Sequence, residues 1–100
     1  MLIAFSVAPT SSASPDGSVS AAVAAAVQVV KDSGLPYRLG SMFTEIEGEW
    51  EELMDVVRRA CEAAGADAGR VSLVLKADIR PGAEPGQLDS KIARVQEKLA

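Results

Sequence analysis

The stretch MFTEIEGEW, residues 42–50, decides the fold. Phe43 and Ile46 stand among polar neighbours as in a strand, Gly48 breaks the pattern, and an acidic, helix-like segment follows. Glu45, Glu47 and Glu49 fall on every second residue across this junction. Glu49 belongs with Glu51 and Glu52 in the first helical turn, where carboxylates complement the positive end of the helix dipole. Glu45 reads as solvent-facing or at an interface. Glu47, at the strand's end, reads as solvated charge or as a ligand carboxylate, and composition does not choose between the two.

Upstream of the junction, PYRLG is a short strand joined to SMFTEIE through Gly40 and Ser41, as in a tight hairpin. Before it, Val19, Ala22, Val23, Ala26, Val27 and Val30 recur at helical spacing, with Ser18 as the expected N-cap and Gly34 as the stop. The Ser-, Pro- and Gly-rich stretch 10–18 is a connector. The first strand is LIAFSVAP, in which Ile3, Phe5 and Val7 alternate with Ala4, Ser6 and Ala8 until Pro9 ends the ladder.

Downstream, Trp50, Leu53, Met54, Val57, Cys61 and Ala64 form one apolar stripe, expected to pack in the core. RVSLVLKADIR is the fourth strand, with Val71, Leu73, Leu75, Ala77 and Ile79 on one face. Asp78 and Arg80 share the other face and read as a surface or interface ion pair before a ligand clamp. After the turn PGAEPG, the residues Leu88, Ile92, Val95 and Leu99 mark a final amphipathic helix. The order βαββαβ plus a helix predicts an α+β, ferredoxin-like sandwich with a four-stranded antiparallel sheet, as a single domain over residues 1–100. Both main helices fall on one face. The other face lacks cover and leaves Val74 half exposed, which predicts an oligomer.

Composition narrows the function. The chain has 100 residues, is 48% hydrophobic and carries a net charge of −4, so clustered basic residues for nucleic-acid binding are not expected. Aromatic content of 4% also argues against base stacking on the sheet. With no histidine, His-based acid–base chemistry and histidine zinc sites are excluded. Cys61 is the sole cysteine and reads as a core residue, so no nucleophile or metal motif is named and no enzyme is expected. Nucleotide-phosphate glycine motifs are absent. MLIAFSVAP lacks the basic region of a signal peptide, and the apolar run 19–30 falls short of the ~20 residues that span a bilayer. The expectation is a cytoplasmic protein with no membrane partner.

Val7 and Pro9, then Ser33-Gly34-Leu35 with Tyr37, then Met42, Thr44, Glu47 and Gly48, then Lys76, Asp78 and Arg80 occur in an order that resembles the small thiamine-binding protein family over nearly the whole chain. The resemblance implies a ferredoxin-like fold in dimers or tetramers, and binding of thiamine or its hydroxymethylpyrimidine part without catalysis or a resident cofactor. It points to Glu47 and Thr44 as polar ligand contacts, followed by Ser6, Tyr37 and Met42. An aminopyrimidine edge matches a carboxylate and a hydroxyl, and a thiazolium cation suits a carboxylate or an aromatic face. Phe43 stands where the family often has glycine, which would narrow the pocket or add a stacking surface. Thr44 and Glu47 point to opposite faces of an ideal strand and share a site only if the strand ends or bulges near Gly48.

Overall fold

Alternation over residues 2–9 and 71–78 produces the two long strands of the fold, and they lie side by side. The computed structural model of the protein describes residues 1–10 and 17–100. The elements are β1 (Leu2–Pro9), α1 (Ser20–Asp32), β2 (Tyr37–Leu39), β3 (Thr44–Glu47), α2 (Trp50–Ala64), β4 (Val71–Asp78) and α3 (Gln87–Gln96). The strands form one four-stranded sheet in the order β2-β3-β1-β4. All three strand pairs are antiparallel. This is the ferredoxin-like arrangement, with a third helix added. The connector reading at residues 11–16 lies outside the described residues.

Register assigns every side chain to a face. Ile3 pairs with Ile46 and Ala77, and Phe5 with Thr44 and Leu75, so these residues share the face covered by α1 and α2. Leu2 pairs with Glu47 and Asp78, and Ala4 with Glu45 and Lys76, which places this set on the opposite face. The core lies on the first face: Ile3, Phe5 and Val7 meet Ile46, Ala26 and Val30, and Leu53, Val56, Val57 and Ala60 close it. Each fully buried Leu, Ile or Val contributes roughly 1.5–3 kcal/mol through loss of contact with water.

Several expectations change. The stripe on α2 is rotated: Val56 and Ala60 are buried, Met54 and Cys61 only partly, and Trp50 is 51% exposed. Periodicity marks the face of a helix but not how far the layer beneath it extends. The N-cap of α1 is Val19; the Ser18 hydroxyl instead accepts from the Ser20 N–H at 3.3 Å. β3 begins at Thr44, so Met42 and Phe43 belong to the hairpin connection, which Gly40 N–H closes by donating to the Phe43 carbonyl at 3.0 Å. β4 stops at Asp78, and Asp78 pairs with Lys91 at 2.7 Å rather than with Arg80.

The second face is not left open as expected. α3 folds back across it at the Leu2–Glu47 end and buries Leu88, while Val74 farther along is 55% exposed.

Leu53 is fully buried and Trp50 half exposed. Leu53→Ala is expected to cost about 2–5 kcal/mol in denaturant unfolding, and Trp50→Ala markedly less. Equal losses would show that the core extends over the first turn of α2.

Candidate functional site

The three carboxylates of the strand–helix junction have three different surroundings. Glu49 opens α2, and its N–H donates to the Glu52 carboxylate at 2.8 Å, the reciprocal half of a capping box. Gly48 leaves room for that carboxylate, because a Cβ there would lie 2.8 Å from Glu52 Oε1.

Glu47 is buried and turned toward α3. Its Oε2 accepts from the N–H groups of Gly86 at 2.9 Å and Gln87 at 3.1 Å, and its Oε1 from Leu88 N–H at 3.1 Å. These donors open a helix and have no intrahelical acceptor. Gly86 has φ +90°, a conformation costly for a residue with a Cβ, and from there its N–H joins those of Gln87 and Leu88 on one carboxylate. Burial alone would raise the Glu47 pKa. The N–H donors of Gln87, Leu88 and Gly86, with the Met1 amino group, outweigh it and hold the carboxyl below its ordinary value.

Two ion pairs flank this cap. Arg38 of β2 reaches Asp89 and the Leu88 carbonyl, and Lys91 holds the Asp78 carboxyl below the usual carboxylate range. Both pairs are exposed and add little by themselves.

Between α3 and the sheet lies a cavity of about 310 Å³. Leu2, Ala4, Leu88, Ile92 and Val95 supply its apolar walls; Glu45, Lys76, Asp78 and Lys91 bring charge to it. Glu45 is half-buried, and its carboxylate has no hydrogen bond or ion pair among the described residues. It is the carboxylate of the junction that faces this cavity; alternation along β3 places it on the face away from the core but does not place α3 over it.

The sequence-derived site residues are distributed over the molecule. Thr44 is buried on the helix-covered face beside Phe5. Tyr37 pairs with Ile46 at the sheet edge on that same face. Ser6 lies opposite Val74 on the α3 side, beyond Ala4, and Met42 is 77% exposed in the hairpin connection. None of these four lines the cavity under α3, and neither does Phe43. No bulge brings Thr44 and Glu47 to one face: Phe5–Thr44 and Leu2–Glu47 keep the regular register. Burial pushes the Cys61 thiol up, with Glu62 adding to the effect, which disfavours the reactive thiolate. Among the described residues no cluster of His, Cys, Asp or Glu could hold a metal, and no helix is long and apolar enough to cross a membrane.

A small ferredoxin-like domain with a helix folded over its second sheet face, and a cavity beneath that helix, defines the class. Within that class, the chain belongs to the thiamine-binding protein family, whose profile matches residues 3–96. A UPF0045 protein of Mycobacterium bovis is 46% identical over 100 residues, covering 99% of this chain and 94% of its own. A Bacillus cereus structure described as domain of unknown function DUF77 superimposes with a TM-score of 0.81 at 32% identity, covering 99% of this chain and 92% of that one. A Thermotoga maritima structure, provisionally described as a thiamine biosynthesis/salvage protein, gives a TM-score of 0.75 at 26% identity, covering 94% of this chain and 96% of that one.

The Glu47 cap predicts a defined loss. Glu47→Gln removes the charge and opposes an NH₂ group to N–H donors, and is expected to cost about 1–3 kcal/mol. Hydrogen exchange at Gly86, Gln87 and Leu88 should accelerate beyond that of the core. The folded-state pKa lies below the unfolded one, so this stabilisation is present at neutral pH. It is lost only as pH falls through the depressed value, below the ordinary glutamate value of about 4.3. Unchanged exchange in the variant would show that the cap does not hold α3.

Proposed function

We propose that the protein binds thiamine or its hydroxymethylpyrimidine part in the cavity between α3 and the sheet, without catalysing a reaction on it. The observation that carries this reading is Glu45, a half-buried carboxylate without a partner among the described residues, at the edge of an apolar cavity of about 310 Å³. A cavity of this size is at the lower end of small-molecule sites. The exocyclic amine of an aminopyrimidine can donate to Glu45, a ring nitrogen can accept from Lys76, and the apolar walls can take the ring faces. A thiazolium cation is also favoured beside a carboxylate. Family membership supports the same class of ligand.

In this reading Glu47 acts as a positioning residue: its carboxylate fixes α3, and α3 is one wall of the cavity. Ser6 lies on the same face and can meet a ligand that extends beyond Ala4. Thr44, Tyr37 and Met42 would act only through a second surface. In this reading the charged groups at the cavity recognise the ligand rather than react with it, and the protein works as a cytoplasmic binding protein.

A homo-oligomer, dimer or tetramer, belongs to the same proposal. β4 is an edge strand of eight residues, and Leu73 and Val74 on it are 43% and 55% exposed. Long apolar edges invite pairing with another chain, and a second copy of the chain supplies a matching edge. A structural module acting only through this edge is the competing reading.

Thermal unfolding at fixed protein concentration separates the two. Thiamine or hydroxymethylpyrimidine at ~100 times its dissociation constant adds about 2.7 kcal/mol, which moves Tm by roughly ten degrees or more in a domain of this size. Unrelated cations should not reproduce the shift, and Glu45→Gln should weaken binding about tenfold. No shift with either compound, in a protein that sediments as an oligomer, would favour the structural module.

A further inference from the structure

The turn from β4 into α3 and the helix beyond it carry two guanidinium groups, Arg80 and Arg94, that no ion pair within 4.0 Å holds among the described residues. Ala83 N–H donates to the Arg80 carbonyl at 3.1 Å, and the Gln87 side chain donates to the Glu84 carbonyl at 2.8 Å, so the turn is tied at both ends. It bounds a recess of about 460 Å³ lined by Arg80, Glu84, Gln87, Ser90 and Arg94, among others. A smaller recess of about 70 Å³ shares Arg80, Glu84, Gln87 and Arg94 with it, and adds Lys91 and Asp78. The cavity under α3 shares Asp78, Gln87 and Lys91 with the smaller recess. The three spaces are therefore neighbours around the first turns of α3.

The charges here do not cancel. Glu47 is occupied by backbone N–H groups, and Asp78 is paired with Lys91. Arg94 donates only to neutral acceptors, Gln87 Oε1 at 3.1 Å and Ser90 Oγ at 3.4 Å. The Arg80 guanidinium has no hydrogen bond or ion pair among the described residues. Against these two guanidinium groups, Glu84 is the carboxylate of the larger recess, and no ion pair within 4.0 Å joins it to either. Guanidinium forks match the oxygens of phosphate, with the Ser90 hydroxyl as a further donor.

We propose that Arg80 and Arg94 form an oxyanion site that takes the phosphate group of a phosphorylated small molecule. Because this recess adjoins the cavity under α3, the site distinguishes a phosphorylated ligand from its free alcohol. That second statement rests on the function proposed above; the oxyanion site itself does not.

Calorimetric titration in low-salt buffer tests both. Inorganic phosphate and pyrophosphate are titrated into the unaltered protein and into Arg80→Gln, Arg94→Gln and Lys98→Gln; Lys98 lines none of these spaces. Pyrophosphate is expected to bind, each arginine variant to weaken it about tenfold or more, the Lys98 variant to leave it unchanged, and added salt to weaken it. Thiamine phosphate should bind more tightly than thiamine, with the difference lost in Arg80→Gln. Arg80 is exposed and unpaired, so its variant should fold as the parent does. Absence of pyrophosphate binding, or binding indifferent to both arginines, overturns the oxyanion site. Thiamine binding with no gain from the phosphate overturns the discrimination and leaves the proposed function standing. Arginine-dependent pyrophosphate binding with no response to thiamine, hydroxymethylpyrimidine or their phosphates sustains the site and overturns the proposed function.

Discussion

The arrangement depends on one carboxylate. Glu47 ends β3 on the face away from the core, and its two oxygens accept from three consecutive backbone N–H groups at the start of α3. Without an acceptor, the buried Leu88 N–H would go unsatisfied, which costs about 1–3 kcal/mol, and the part-buried N–H groups of Gly86 and Gln87 would turn to water. With Glu47 in place the dipole of α3 also meets a negative charge. The cap sets where α3 begins, Leu88 is buried against the sheet, and the exposed ion pairs Arg38–Asp89 and Lys91–Asp78 flank the helix without holding it. The cavity and the arginine recess both follow from that placement.

This constraint separates two surfaces of one sheet. The face under α1 and α2 is closed by Ile3, Phe5, Ile46 and the α2 stripe and offers Thr44 only as a buried residue. The face under α3 is covered in part, by a short helix whose Ile92 and Val95 are 40% and 57% exposed. A fold with one packed face and one partly covered face can hold a ligand on the second without disturbing the core. The proposed binding would thus use a different layer from the one that packs the core.

The parts of the fold governed by local periodicity were legible in the sequence. Alternation marked β1 and β4, helical spacing marked α1, α2 and α3, and Gly48 marked the junction between β3 and α2. What was not legible depends on distance along the chain. Glu47 meets donors 39 to 41 residues away, and nothing local in TEIEG signals a helix end returning to it. Glu45 and Glu47 look alike in sequence and differ only because α3 begins over one of them. The apolar stripe includes Trp50, but burial there depends on what lies beneath the first turn of α2, and Trp50 stays half exposed. The resemblance to the thiamine-binding family supplied the ligand class, and side-chain identity alone would not have done so. Thr44, Tyr37 and Met42 follow from that resemblance, and they lie on the opposite face and in the hairpin connection, away from the cavity that Glu45 and Asp78 line.

The proposed ligand site lies beneath α3, on the face opposite the core. Amide chemical-shift changes followed by nuclear magnetic resonance during a thiamine titration would locate it. Binding there should concentrate the changes on Leu2, Ala4, Glu45, Lys76 and residues 87–95, with Thr44 and the interior of α1 little affected. Changes centred on Thr44, Tyr37 and Met42, with α3 silent, would contradict it.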